Sequence, residues 1–152
     1  IGYMAWHDPN GILNKVRDGV ERLLRSRLCA STPAQHGFLA GLVEDHGWLS
    51  SHRDLIKKRL DYSLSRIESI EGLECQPPGG SFYLFVKITD PTLALDDKKF
   101  VLDILHQKHV LLVHGSGFSP EMGRGHFRMV CLPELELLSE AFDRIEAFML
   151  GN

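Results

Sequence analysis

The chain has 152 residues, of which 43% are hydrophobic and 24% are charged, as is ordinary for a soluble globular domain with its own core. Its formal net charge of -3 gives no general field that would attract DNA or RNA. No apolar run approaches the roughly 20 residues that a membrane helix needs. We therefore expect neither a nucleic acid nor a membrane as a partner.

The chain opens on Ile1 rather than Met, directly before a strand-like run at residues 2–7. This start predicts a fragment that is cut in the middle of an element. No basic segment followed by an apolar stretch stands there, so we do not expect a secretory signal. Four turn-prone residues at 8–11 end the predicted strand.

Three helices are predicted next. Residues 12–28 form a basic amphipathic pattern, whose Arg and Lys residues indicate a solvated face rather than a membrane-binding one. Residues 31–33 indicate a second helix start, with a hydroxyl cap and a proline in the first turn, and that helix should run to about Asp45. A longer helix begins at residues 49–51 and stops at Gly72. Its apolar stripe consists of Ile56, Leu60, Leu64, Ile67 and Ile70.

The rest of the chain is predicted to alternate strands and helices. Helices should begin at Asp96 or Asp97, either of which can cap one, and near Pro133. The glycine-rich residues 114–125 should form a loop. Strands are predicted at residues 73–76, 81–88, 110–113 and 126–132. Mixed strands with helices on one face predict an α+β layer sandwich, with a domain boundary at residues 46–47.

The three cysteines are widely spaced and odd in number, and none forms a C-x-x-C pair; they are Cys29, Cys75 and Cys131. Free cysteine usually behaves as a small core residue. The pattern predicts buried free thiols in a reducing compartment, and hence a cytoplasmic protein.

Arg128 is the first candidate for a binding residue. It stands between apolar neighbours in a predicted strand, immediately after the glycine-rich loop. A guanidinium is planar and always charged, and it matches a carboxylate with two parallel hydrogen bonds. Because an unpaired buried charge is costly, Arg128 must have a partner. From the residues alone, a salt bridge to a nearby Asp or Glu is favoured over a ligand.

Other chemistries have weaker support. Residues 115–117, G-S-G, fit neither a dinucleotide fingerprint nor a phosphate-binding P-loop, and they lack the setting of a nucleophile elbow. No carboxylate joins the eight histidines at a recognisable zinc-site spacing, so no metal site is expected. Lys57, Lys58, Lys98 and Lys99 lie on polar helix faces, which favours solvated surface roles over a Schiff base.

Taken in order, four segments resemble the class I/II aminotransferases of fold type I. They are the opening IGYMAW, RLCASTPAQHG at residues 27–37, PPGGSFYLFVKI at residues 77–88, and VLLVHGSGF followed by GHFRMVCLP at residues 110–133. The second and fourth are most similar to the alanine (glutamate–pyruvate) aminotransferase branch. One departure is His114, where many relatives have proline just before the G-S-G.

The resemblance implies a fold and a division of labour. Residues 1–46 would be a helical remnant of the large domain, and residues 47–152 the small-domain α/β sandwich. Arg128 matches the arginine that grips the carboxylate of the amino acid or 2-oxo acid, which reverses the preference for a salt bridge. The lysine that carries pyridoxal phosphate, and most other cofactor-binding groups, would lie upstream of Ile1. We therefore expect no catalytic and no cofactor-binding residue in this chain, and no transamination by the chain alone.

Three interpretations follow from the resemblance. The first is part of a homodimeric transaminase. The second is a carbon–sulfur lyase or an aminocyclopropane-carboxylate synthase, which share the scaffold and the carboxylate arginine. The third is an aminotransferase-like sensor domain attached to a DNA-binding module. The first is favoured.

Overall fold

The computed structural model describes residues 1–44 and 47–151, and these divide between Gly47 and Trp48 into two compact units. We call them the N-terminal unit and the C-terminal unit. Among the described residues, no helix is both long and apolar enough to cross a membrane. The assignment of the N-terminal unit to a large domain remains a prediction.

The N-terminal unit contains helices α1 (Asn14–Arg27) and α2 (Thr32–Val43). None of its described residues is buried. Ser31 occupies the N-cap position of α2, but its side chain makes no capping hydrogen bond. The predicted end of this helix, Asp45, lies outside the described residues.

The strand predicted at residues 2–7 is wrong for this chain. These residues have no regular secondary structure, and their side chains are exposed. A strand needs a neighbouring strand to satisfy its backbone N–H and C=O groups. No described segment pairs with residues 2–7, so a strand-like sequence is left as extended coil.

The C-terminal unit is a four-stranded sheet with helices against it. Its strands follow the order β1-β2-β4-β3, and all three pairings are antiparallel. The strands are β1 (Leu73–Glu74), β2 (Tyr83–Ile88), β3 (Val113–His114) and β4 (His126–Val130). The helices are α3 (Gly47–Ser69), α4 (Asp97–Lys108) and α5 (Leu135–Met149). Short 3₁₀ turns lie at Leu93–Leu95 and Gly115–Gly117. This arrangement confirms the α+β class, but the mixed strand directions were a wrong expectation.

The core fills one face of this sheet. Alternate residues of β2 and β4 point into it, because successive strand side chains point to opposite faces. Helices α3, α4 and α5 cover the same face with their apolar stripes. The buried members include Ile67, Leu84, Val86, Phe100, Ile104, Phe127, Met129, Phe142 and Ile145. Nine side chains of this size, each worth roughly 1.5–3 kcal/mol of transfer free energy when buried, give this unit its own source of stability.

Near the site, one detail differs from expectation and another agrees with it. The strand predicted at residues 110–113 is displaced to Val113–His114, although Val110 and Leu112 are buried as a core segment would be. Helix α4 begins as predicted, since the Asp96 carboxylate accepts a hydrogen bond from the Lys99 N–H at 2.9 Å.

Candidate functional site

Arg128 lies on the open face of the sheet, opposite the core. Its neighbours Phe127 and Met129 are buried, so strand alternation directs the Arg128 side chain the other way. In the register, Arg128 lies across from Phe85 of β2 and Val113 of β3. The residue is therefore in the middle of the sheet, with a strand on each side.

Two aromatic rings contact the guanidinium of Arg128. Its Cζ lies 4.6 Å from the centroid of the Tyr83 ring and 4.2 Å from that of Phe118. Both distances fall within the range of a cation–π interaction, in which a ring face attracts a cation. We call Tyr83 and Phe118 the ring clamp.

Arg128 has no hydrogen bond or ion pair with any residue that the structure describes. Its Nε is buried and lacks a partner. The two terminal nitrogens also have no partner among the described residues, but they are not buried as Nε is. The salt bridge to Asp or Glu that the residues alone favoured is therefore not formed within the described part of the chain.

Arg59 shows how this chain pairs the terminal nitrogens of a buried arginine elsewhere, although its Nε, like that of Arg128, lacks a partner. It is 7% exposed and lies on α3. Its guanidinium donates to the backbone carbonyl of Leu132 and pairs with the carboxylate of Glu134. Unlike those of Arg59, the terminal N–H groups of Arg128 have no acceptor among the described residues. A planar anion such as a carboxylate would suit them, because it can accept two parallel hydrogen bonds.

The glycine-rich loop places Phe118 against Arg128. Gly115 and Gly123 touch backbone to backbone: a Cβ on Gly115 would lie 2.2 Å from the Gly123 carbonyl oxygen. The Phe118 N–H donates to the Gly115 carbonyl at 2.9 Å. The glycines thus close the loop by direct contact, which a larger side chain would prevent.

Asp97 anchors the same loop from helix α4. Asp97 is 5% exposed, and its carboxylate accepts a hydrogen bond from the Ser116 N–H at 2.7 Å. His114 adds a second link, since its Nδ1 lies 3.0 Å from the Ser116 hydroxyl. The residue in place of the family's proline is therefore part of the loop's hydrogen bonding.

The lysines with ion pairs lie on the surface rather than in an enclosed binding site. Lys57 pairs with Asp61 and Lys99 with Asp103 on exposed helix surfaces. Lys87 lies on the face of Arg128 but is exposed and pairs with Glu74. A Schiff-base lysine needs burial or a neighbouring cation to be neutral. No group of His, Cys, Asp and Glu side chains able to hold a metal occurs among the residues described.

The cysteines are only partly as expected. All three are free, but Cys29 is exposed, Cys75 is half-buried and only Cys131 is buried. The expectation of a buried thiol is therefore wrong for Cys29, because it follows α1 in a unit without buried residues. Burial raises the pKa of the Cys131 thiol, and burial likewise raises the pKa of the Cys75 thiol.

Tyr83 and Phe118 were not identified from the sequence. An aromatic residue in a strand is usually read as core, and one in a glycine-rich loop as surface. A usable signal was present: Tyr83 and Phe85 alternate with buried Leu84 and Val86. That alternation leaves two aromatic side chains on the face that Arg128 shares.

No family model matches the chain, but individual proteins do. Among curated proteins it is similar to glutamate-pyruvate aminotransferase AlaA of Haemophilus influenzae, with 34% identity over 97% of this chain and 37% of that protein. It is 28% identical to the alanine aminotransferase of Mycobacterium tuberculosis, over 99% of this chain and 35% of that protein. The chain thus spans little more than a third of the length of the curated relatives it matches.

Solved structures agree. The alanine aminotransferase of Pyrococcus furiosus superposes with a TM-score of 0.86 at 47% identity, covering 95% of this chain and 36% of that one. An aminotransferase of Escherichia coli gives a TM-score of 0.83 at 31% identity, with the same coverage of each chain. The chain is therefore a homologue of the fold type I aminotransferases. The curated relatives named above match this chain over nearly its whole length, and they are named as glutamate-pyruvate and alanine aminotransferases.

Proposed function

We propose that this chain is the C-terminal part of a transaminase that moves an amino group between an amino acid and a 2-oxo acid, and that Arg128 binds the substrate carboxylate. The observation that carries the proposal is the state of Arg128. Its guanidinium contacts two rings and has no anionic partner among the described residues. The relatives' names, alanine and glutamate–pyruvate aminotransferase, support the reaction class.

The chemistry divides between this chain and the rest of the protein. Pyridoxal phosphate, when bound, supplies the electron sink for the reaction. The described residues fit a substrate-binding part but not the cofactor's attachment point, since their lysines are exposed or half-buried. Arg128 binds and orients the substrate. Two hydrogen bonds to one carboxylate fix the position of the adjacent carbon, so the substrate is held in the geometry that its reaction needs.

Three further properties belong to the same proposal. The chain alone neither attaches pyridoxal phosphate covalently nor catalyses transamination. The protein that contains it is a homodimer, as the resemblance implies, and its unpaired cysteines favour a cytoplasmic location. Its partners are a small amino acid and a 2-oxo acid.

The test is an assay of the full reading frame that contains these 152 residues. The purified protein, supplied with pyridoxal phosphate, is given alanine and 2-oxoglutarate, and pyruvate is followed through a coupled dehydrogenase. We expect pyruvate only when both substrates are present. The isolated chain is the matched control and should form none.

The alternatives give different products. A carbon–sulfur lyase would release pyruvate, ammonia and a thiol from a cysteine conjugate without any 2-oxo acid acceptor. A sensor domain would bind an amino acid without turnover and would retain DNA on a mobility-shift gel. Either result would contradict the proposed transaminase.

A further inference from the structure

The ring clamp reaches the guanidinium of Arg128 from two different directions. Tyr83 and Phe118 each lie within 4.6 Å of its Cζ, yet they make no ring contact with one another. Tyr83 projects from strand β2, whose alternate residues are anchored in the core. Phe118 projects from the loop, and its ring also makes a T-shaped contact with that of Phe85, with 6.2 Å between the two centroids.

The clamp leaves only one part of the guanidinium available. Tyr83 and Phe118 contact the group around its central carbon, and Nε is buried without a partner. The terminal nitrogens are the donors that remain open. An arginine on a bare strand would sample many rotamers, whereas one held by two rings has already lost that freedom. Binding a carboxylate then costs less ordering, which raises affinity through preorganisation.

We propose that Tyr83 and Phe118 are positioning residues for Arg128: they hold its guanidinium so that the two terminal nitrogens face the substrate carboxylate. This inference rests on the proposed role of Arg128. One wall of the clamp, Tyr83, is fixed by the sheet. The other, Phe118, depends on the loop that Gly115, Gly123 and Asp97 hold closed.

The first experiment measures steady-state kinetics in the full-length enzyme with Tyr83→Leu and Phe118→Leu. Each variant loses one ring and keeps an apolar side chain. We expect the KM for the amino acid, and the Ki of a simple monocarboxylate such as acetate, to rise by about 3- to 30-fold per ring, the range of a partly desolvated cation–π contact. The turnover number should fall less than the KM rises. Tyr83→Phe keeps the ring and should restore KM to within about twofold of wild type.

Val113→Ala is the matched control. Val113 is exposed and lies across from Arg128 on strand β3, but it carries no ring. We expect its KM to stay within about twofold of wild type, since it removes no cation–π contact from Arg128. If Val113→Ala raises KM as much as Phe118→Leu does, the effect belongs to the apolar face as a whole and the clamp is refuted.

A second readout uses the 152-residue chain itself. The Nε–H proton of Arg128 lies among aromatic rings, so its NMR signal should be shifted upfield of the other arginine signals. Phe118→Leu and Tyr83→Leu should each move it back toward them, while Val113→Ala should not. An unshifted wild-type signal would contradict the contact between the guanidinium and the two rings.

The clamp and the proposed function fail in different ways. Arg128→Gln should weaken carboxylate binding more than either ring variant. If Arg128→Gln leaves KM unchanged, Arg128 is not the carboxylate residue and the proposed function is wrong. If Arg128→Gln raises KM but both leucine variants behave as wild type, Arg128 keeps its role and only the positioning role of the rings is overturned.

Discussion

The Phe118 ring centroid lies 4.2 Å from the guanidinium carbon of Arg128, although Phe118 belongs to the glycine-rich loop and Arg128 to the strand that follows it. This contact joins a loop side chain to a strand side chain whose backbone is fixed by neighbouring strands on both sides. The loop is therefore part of the site, and groups that hold the loop closed should affect Arg128 without touching it.

Asp97→Ala tests that link. The substitution leaves the Ser116 N–H without its carboxylate acceptor, and we expect the free energy of unfolding to fall by about 1.5–3 kcal/mol, the worth of a hydrogen bond to a charged group. Asp97→Asn keeps an acceptor oxygen and should lose less. Urea denaturation followed by circular dichroism measures both.

Asp96→Ala is the control for this prediction. It removes the N-cap of α4 and should cost about 1 kcal/mol, but it should leave the Arg128 Nε–H signal in place, whereas Asp97→Ala should shift it. An Asp97→Ala protein as stable as wild type would show that the loop does not depend on this carboxylate.

Gly115→Ala should open the loop from within. The new Cβ would fall 2.2 Å from the Gly123 carbonyl oxygen, so the backbone must move. We expect a loss of about 1–3 kcal/mol in the free energy of unfolding, as overpacking typically costs. Gly79→Ala is the matched control, because its Cβ would meet nothing within 4 Å. Equal stability of the two variants, measured by thermal denaturation, would argue against the close contact.

The three thiols should differ in reactivity. Cys29 is exposed, while burial both shields Cys131 and raises the pKa of its thiol. Only the thiolate attacks an alkylating reagent, so a raised pKa leaves less reactive thiol at neutral pH. With iodoacetamide and peptide mass spectrometry, we expect Cys29 to be modified first, Cys75 later and Cys131 last. Modification of Cys131 before Cys29 in the folded chain would contradict the burial described here.

The N-terminal unit should be cleaved before the C-terminal unit. None of its described residues is buried, and its apolar side chains such as Leu23 and Leu28 are 72% and 81% exposed. Few buried contacts mean a low free energy of local opening. Limited proteolysis of the isolated chain should cut first before about residue 47. A protected N-terminal unit in a monomeric sample would show that it belongs to the chain's own core.

The sequence was most informative where a local rule decides the structure. Asp96 caps α4 because its short carboxylate can reach the Lys99 N–H, and this depends only on neighbouring residues. In the predicted apolar stripe, Ile67 and Ile70 are buried and the earlier members are half-buried, because helical spacing alone puts these residues on one face.

The sequence was least informative where residues far apart along the chain determine the local structure. Residues 2–7 have the composition of a strand but no described strand beside them, so no ladder forms. Arg128 was expected to have a partner, but its contacts with Tyr83 and Phe118 depend on strand register and loop closure. Neither can be obtained from spacing along the chain. Its role as the carboxylate-binding residue remains a prediction.

Arg128→Lys in the full-length enzyme tests the central claim most directly. Lysine keeps the positive charge but loses the planar two-point grip. We expect a higher KM for the amino acid and its 2-oxo acid, slower turnover, and a loss of about 10- to 150-fold in kcat/KM, which corresponds to one charged hydrogen bond. The control is Arg124→Lys, at an exposed position in the glycine-rich loop, which should change kcat/KM by less than about twofold. If Arg128→Lys has the kinetics of the wild-type enzyme, Arg128 does not hold the substrate carboxylate.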